Sequence, residues 1–299
     1  MSNSLIVLFK SFEGAAVSEN DELSLLLNSR GIDSKIISPL VFNRIEGSAL
    51  REALERIYKS RIDGLHSVIV VTSPRAAQIL ADALINYKVE VSVVVDIIFY
   101  IFTSGSRTAC IIRDAIKGQE HFIKVISPSE DEEKEGRHSN GGGGSGAMIP
   151  LLRQFFCGKE QKGIVLFIRG DRALRAIPEA LLQDGITINE VIVYESAYAV
   201  PSEIQSAWYS SIQYGVIKRS PSILVFYSPS GFEAILAANC DDLNAILCKK
   251  GDKQTIPIIA IGATTAAAIE SRGYIVTGIA DSPDPSSLFD IILRFIQVT

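Results

Sequence analysis

Short blocks of unbroken apolar residues recur along the chain, each followed by a glycine or hydroxylated turn and then by a stretch with apolar residues at helical spacing. Residues 5–9, 68–72, 97–102, 164–168, 223–227 and 258–261 are the clearest blocks. Their lack of alternation predicts strands buried on both faces, as in parallel sheets covered by helices. Helices are predicted over 21–30 with a stop at Gly31, from a Ser48 cap to Lys59, up to Leu182 with a stop at Gly185, and over 202–214 with Trp208 as a packing residue. Two stretches read differently. Residues 35–42 are extended but carry Pro39, which suits an edge strand or a strand leaving its domain. Residues 188–198 form a long extended segment in which alternation puts Tyr194 on the face opposite the packed Val193.

The turns after four of these strands share one design. They are Ser73-Pro74-Arg75, Gly105-Ser106-Arg107-Thr108, Ser228-Pro229-Ser230-Gly231 and Gly262-Ala263-Thr264-Thr265, each opening a helix. Proline suits the first helical turn and serine the cap, while glycine suits a sharp reversal. The first N–H groups of each helix are left pointing beyond the strand's carboxyl end, where they can hold an anion.

Spacing shows a duplication: Ser73 to Ser228, Gly105 to Gly262 and Gly31 to Gly185 are each about 155 residues apart. A chain of 299 residues accommodates two such domains. The expected fold is therefore α/β, with two similar parallel-sheet domains. The repeat is interrupted once, where residues 128–146 exceed the matching stretch of the second half by roughly 17 residues. An acidic run from Glu130 to Glu135 and the glycines 141–144 mark this insertion as a flexible loop.

Composition narrows the classes. With 47% apolar and 21% charged residues the chain suits a soluble protein with full cores. Cys110, Cys157, Cys240 and Cys248 form no close pair, and His66, His121 and His138 have no metal spacing. No disulfide framework, zinc site or other metal site is expected. The longest apolar tract, 89–102, is interrupted by Glu90 and Asp96 and is too short to span a bilayer. The first strand begins almost at once, so no signal or transit peptide is expected and the chain reads as cytoplasmic.

The segments Val191-Ile192-Val193-Tyr194-Glu195-Ser196, Tyr227-Ser228-Pro229-Ser230-Gly231, Ala260-Ile261-Gly262-Ala263-Thr264-Thr265-Ala266 and Ala280-Asp281-Ser282-Pro283, with Thr72-Ser73-Pro74-Arg75-Ala76 in the first half, resemble the uroporphyrinogen-III synthase family in order and spacing. One departure is that Val91 to Val95 stand where the family is usually polar. The resemblance implies a cofactor-free enzyme that cyclises hydroxymethylbilane to uroporphyrinogen III with loss of water and inversion of ring D. It implies one domain from 1–36 with 199–299 and another from 43–189, joined by strands 37–42 and 190–198, with the substrate in the cleft between them. A monomer without nucleic-acid or membrane partners is expected. A rival reading is a non-catalytic cytosolic two-lobed binder of an anionic small molecule.

The net charge of −5 cannot attract a substrate with eight carboxylates, so local groups must hold it. Helix N-termini contribute roughly 0.3 to 1 kcal/mol each. The candidate substrate-binding residues are Lys10, Ser73, Arg75, Gly105, Ser106, Thr108, Ser228, Ser230, Gly231, Gly262, Thr264 and Thr265, with Arg107 and Arg169 as further cations at strand ends. Tyr194 matches the family's prominent tyrosine. Because a phenol is protonated at neutral pH, Tyr194 is the candidate proton donor to the leaving hydroxyl.

Overall fold

Strands that are apolar on both sides need cover on both sides, and the computed structural model supplies it twice. It describes residues 4–11, 21–91, 98–118, 122–128, 144–159, 162–214, 217–218, 222–241, 243, 247 and 256–298. The chain divides into two compact units, residues 1–42 with 197–299 and residues 43–196.

The first unit holds a five-stranded parallel sheet. Its strands are β1 (Leu5–Phe9), β2 (Asp33–Ile37), β11 (Ile223–Phe226), β12 (Ile258–Ala260) and β13 (Gly278–Ile279), in the order β13-β12-β11-β1-β2. Successive residues of β1 serve opposite cores. Leu5, Val7 and Phe9 pack with Trp208, Phe232 and Ile269 on one face, and Ile6 and Leu8 with Leu23, Leu27 and Leu288 on the other. The first face is covered by α7 (Pro201–Ile212), α8 (Pro229–Ala237) and α9 (Ala263–Ser271), and the second by α1 (Glu22–Ser29) and α10 (Pro285–Val298). A short antiparallel pair, β9 (Gln213–Tyr214) with β10 (Ile217–Lys218), was not foreseen from the sequence pattern.

The sheet of the second unit is formed by β3 (Leu40–Arg44), β4 (His66–Val71), β5 (Phe99–Thr103), β6 (Ile123–Ile126), β7 (Lys162–Gly170) and β8 (Thr187–Tyr198) in the order β3-β8-β7-β4-β5-β6, with β3 starting and β8 ending just outside the unit's bounds. Here α2 (Ala49–Ile62), α3 (Pro74–Val91) and α4 (Ser106–Ala115) pack with Ile69, Val71 and Leu166. On the other face α5 (Gly144–Phe156) and α6 (Ala176–Gln183) pack with Val68, Val70 and Phe167. No helix among the described residues is long and apolar enough to cross a membrane.

Several local expectations are revised. The extended stretch 35–42 is broken at Ser38-Pro39, so β2 joins the sheet of one unit and β3 forms the edge of the other. Proline lacks the N–H that would continue the ladder, which explains the break. Ser48 stands before α2 in helical conformation and makes no side-chain cap bond. Helix α5 starts at Gly144, so the last three residues of the expected loop 128–146 are helical. Residues 129–143 of that loop, together with His121, Cys248 and most of the 91–95 valine stretch, lie outside the described residues.

Candidate active site

In the second unit, β4 and β7 are neighbours, yet the chain leaves β4 for α3 on one face and β7 for α6 on the other. Such a switch point opens a crevice at the strands' carboxyl ends, where open α/β sheets bind ligands. Tyr194 occupies this crevice. Its ring lies against Gly170, the last residue of β7: a Cβ added there would stand 2.4 Å from the tyrosine Cζ and 2.7 Å from its hydroxyl oxygen. Only glycine admits this approach. The Tyr194 hydroxyl is 3.3 Å from Ser73 Oγ, and Ser73 Oγ accepts the Ala76 N–H at 3.2 Å, which makes Ser73 the cap of α3. The phenol thus touches the amino end of a helix, where the peptide dipoles favour negative charge.

A β-bulge delivers the ring to that position. Arg169 pairs with Ile192 but Gly170 with Tyr194, so Val193 is an extra residue. The slip cancels the alternation expected from the sequence: Tyr194 packs partly on the same apolar cluster as Val191 and Val193 rather than facing away from it. Bonds on either side fix the bulged strand. The Asp171 N–H donates to the Tyr194 carbonyl at 3.1 Å, and the Ser196 N–H donates to Asp171 Oδ1 at 3.0 Å.

The neighbouring strand β5 ends in the second turn of this unit. Gly105 precedes α4 with φ 176°, an extended conformation open to any residue, so a sharp reversal is not why glycine stands there. Ser106 and Arg107 are exposed, whereas Thr108 is buried with Ala109 and Ile112. Ser104 Oγ donates to the Thr72 carbonyl at 2.8 Å and ties the two turns together. Arg75 is half-buried in the first turn of α3. Arg169 is not available as a free cation: its Nε meets Glu190 Oε2 at 2.6 Å, and Nη1 donates to the carbonyls of Gly170 and Asp171.

The first unit has its own switch point, between β1 and β11, and here too a tyrosine and a capping serine stand at a strand's end. Lys10 follows β1 and Tyr227 follows β11, with Lys10 Nζ 5.0 Å from the Tyr227 ring centroid. Lys10 also pairs with Asp21, a buried carboxylate that caps α1 by accepting the Ser24 N–H at 3.1 Å. Much of the lysine's charge is therefore offset within the fold. The Tyr227 hydroxyl is buried and has no hydrogen-bond partner among the described residues. Burial, and then the Asp21 charge, push this phenol well above its ordinary pKa.

Ser228 caps α8, its Oγ accepting the Gly231 N–H at 3.0 Å and lying 3.4 Å from Ser230 Oγ. A Cβ on Gly231 would stand 2.9 Å from Ser228 Oγ and 3.2 Å from Pro39, so the glycine lets the strand break at Pro39 close over the helix end. Gly262 opens α9 in extended conformation with open space around it. Thr264 is exposed, but Thr265 is buried at 3% exposure against Ala266 and Ile269. Of the two paired hydroxyls, Thr264 is the one solvent reaches. No cluster of His, Cys, Asp or Glu among the described residues could hold a metal ion.

Two doubly wound α/β units with serine-capped helix N-termini at their switch points define a class: two-domain α/β proteins whose strand carboxyl ends are the usual place for ligands. The family model for uroporphyrinogen-III synthase HemD matches residues 21–290, and the chain belongs to that family, whose members are lyases of porphyrin and haem biosynthesis. The uroporphyrinogen-III synthetase of Helicobacter pylori 26695 superimposes with a TM-score of 0.54 at 19% identity, over 97% of this chain and 99% of that one. A mutant uroporphyrinogen III synthase of the extreme thermophile Thermus thermophilus gives 0.54 at 14% identity, over 99% of this chain and 100% of that one. At these identities they speak for the fold alone. No curated protein sequence matches the chain.

Gly170, Asp171 and Asp21 were missed by sequence reasoning. The Arg169-Gly170-Asp171 triplet at a strand end was visible, but nothing in the sequence says that a tyrosine two dozen residues later will lie on that glycine.

Proposed function

We propose that the chain converts hydroxymethylbilane to uroporphyrinogen III, that Tyr194 donates the proton to the departing hydroxyl, and that the turns of both units hold the substrate's carboxylates. The observation that carries this reading is the Tyr194 hydroxyl, 3.3 Å from the Ser73 cap of α3 and backed by Gly170. Departure of the hydroxyl breaks the carbon–oxygen bond of the ring A hydroxymethyl group and leaves an electrophilic carbon. The Tyr194 proton turns the leaving group into water. The dipole of α3 eases the negative charge left on the phenol oxygen. Attack by the substituted carbon of ring D, reopening and closure invert that ring, and the phenolate regains a proton when the macrocycle aromatises its last pyrrole.

Unguided bilane closes without inversion, so positioning is the larger part of the task. Ser106, Thr264, Ser230 and Arg75 are the accessible or half-buried groups of the turns and serve as carboxylate holders together with the capping serines. Buried Thr108 and Thr265 shape the helices behind them, and Lys10 acts as part of an Asp21–Lys10 pair.

Incubation with enzymatically generated hydroxymethylbilane, followed by chromatographic separation of isomers I and III, tests the activity. Predominant isomer III is expected. Isomer I alone, at the spontaneous rate, would leave only a binder of anionic small molecules. The same reading makes the enzyme a cytoplasmic monomer without nucleic-acid or membrane partners. Light scattering on the purified chain checks this, and a dimer mass would refute it.

A further inference from the structure

The amino end of the second unit's sheet gathers positive charge that no carboxylate among the described residues answers. Arg61, near the end of α2, lies with its guanidinium carbon 5.7 Å from the Tyr100 ring centroid and donates from Nη1 to the Leu65 carbonyl at 3.0 Å. His66, the next residue after that carbonyl, opens β4. Tyr100 packs on Phe155 at 4.9 Å between centroids, and Lys159 Nζ sits 3.2 Å from the Phe155 centroid. A guanidinium and an ammonium thus cover a pair of packed rings, and the imidazole of His66 feels the charge of both. All three are half-buried, none has a carboxylate within 4.0 Å among the described residues, and Arg61 Nε is buried without an acceptor.

Crowding like charges in a partly desolvated place is costly unless something offsets it. The rings offset part of it, because each presents a negative face to a cation. The remainder shows in the titration of the cluster: burial, then Lys159 and Arg61, depress the His66 imidazole, and burial, then Arg61, depress the Lys159 ammonium. In a chain of net charge −5 such a cluster is not an effect of general basicity.

We propose that Arg61, His66 and Lys159 form an anion site that takes a phosphate group, free or as a monoester, at the end of the sheet away from the reaction site. A planar guanidinium beside an ammonium suits a tetrahedral dianion, and an imidazole that takes up a proton from solvent as the anion binds completes the donor set. The site is separate from the turns assigned to the substrate. His66 and Ser73 lie at opposite ends of β4, about 20 Å apart at the rise of an extended strand.

The test uses the full chain with inorganic phosphate and with phenyl phosphate, each against sodium chloride at matched ionic strength. The His66 imidazole signal, assigned by its loss in His66→Gln, is expected to titrate at higher pH in phosphate than in chloride. The melting temperature is expected to rise by roughly 3 °C at phosphate about tenfold above its Kd. Both effects should vanish in Lys159→Gln, which keeps the stem over Phe155 and removes the charge. A larger effect of phenyl phosphate would identify a monoester, and equal effects free phosphate. An unmoved His66 titration overturns the proposal, and so does a melting shift that persists unchanged in Lys159→Gln, because phosphate would then be bound elsewhere.

Discussion

At the scale of single residues, the tightest fit in the proposed site is between a ring and a missing side chain. Tyr194→Phe keeps the ring that packs beside Val193 and over Gly170, so stability should barely change, while the hydroxyl next to Ser73 disappears. Removing an interaction made mainly in the transition state lowers kcat more than it raises KM. Spontaneous closure competes with slowed catalysis, so isomer I should grow as a share of products. Wild-type turnover and isomer III yield in Tyr194→Phe would reduce the residue to packing. Gly170→Ala attacks the same contact from below. Its methyl group would stand 2.4 Å from the ring and must push it out, at about 1–3 kcal/mol of stability and a larger loss of turnover. A Gly170→Ala protein with full activity would mean the ring's placement is immaterial. Tyr194 itself was legible in the sequence through its motif. Its face was not, because alternation assumes an unbroken strand and the bulge at Val193 adds one residue.

At the scale of elements, strand-turn-helix units were the most legible feature, since buried parallel strands and capped helices each leave a local pattern. What the pattern could not tell was which hydroxyl of a turn faces outward. Thr264 and Thr265 are adjacent in α9, but a helix advances about 100° per residue, and the second points into the core. Thr264→Val should therefore raise KM about fivefold, equivalent to about 1 kcal/mol, with an unchanged melting temperature. Thr265→Val should lower stability by a similar amount and leave KM alone. The reverse assignment in steady-state kinetics and thermal melts would overturn this division. Helix α10 offers a test of capping without substrate. Asp284 accepts the Ser287 N–H at 2.9 Å and a bond from the Ser282 hydroxyl, and this hydroxyl first, then the backbone N–H, hold its carboxyl below the usual range. A depressed carboxyl contributes stability that is present above its unfolded pKa of about 4 and is lost as pH falls through the lower folded value. Asp284→Ala should cost about 1 kcal/mol at pH 7 and progressively less below pH 4. Equal losses at pH 7 and pH 3 in chemical denaturation would contradict the cap.

At the scale of the whole molecule, each unit is complete in its own interior. Leu5, Phe9, Trp208 and Phe226 belong to the cores of one unit, and Val70, Ile101, Leu166 and Phe167 to those of the other, with both faces of each sheet covered by helices of the same unit. The chain passes between them only twice, after Phe42 and after Ser196. Two-lobed proteins close on ligands that both lobes bind, provided the closed form makes contacts the open form lacks. If the turns of both units hold carboxylates of one substrate, product should draw them together. Small-angle scattering of the protein with saturating uroporphyrinogen III is expected to give a smaller radius of gyration than without it. Ser73→Ala with Ser228→Ala, which weakens one cap in each unit, should reduce the compaction while leaving the unliganded curve unchanged. Superimposable curves with and without saturating product would mean that the units hold a fixed angle, and that the turns of a single unit carry the substrate.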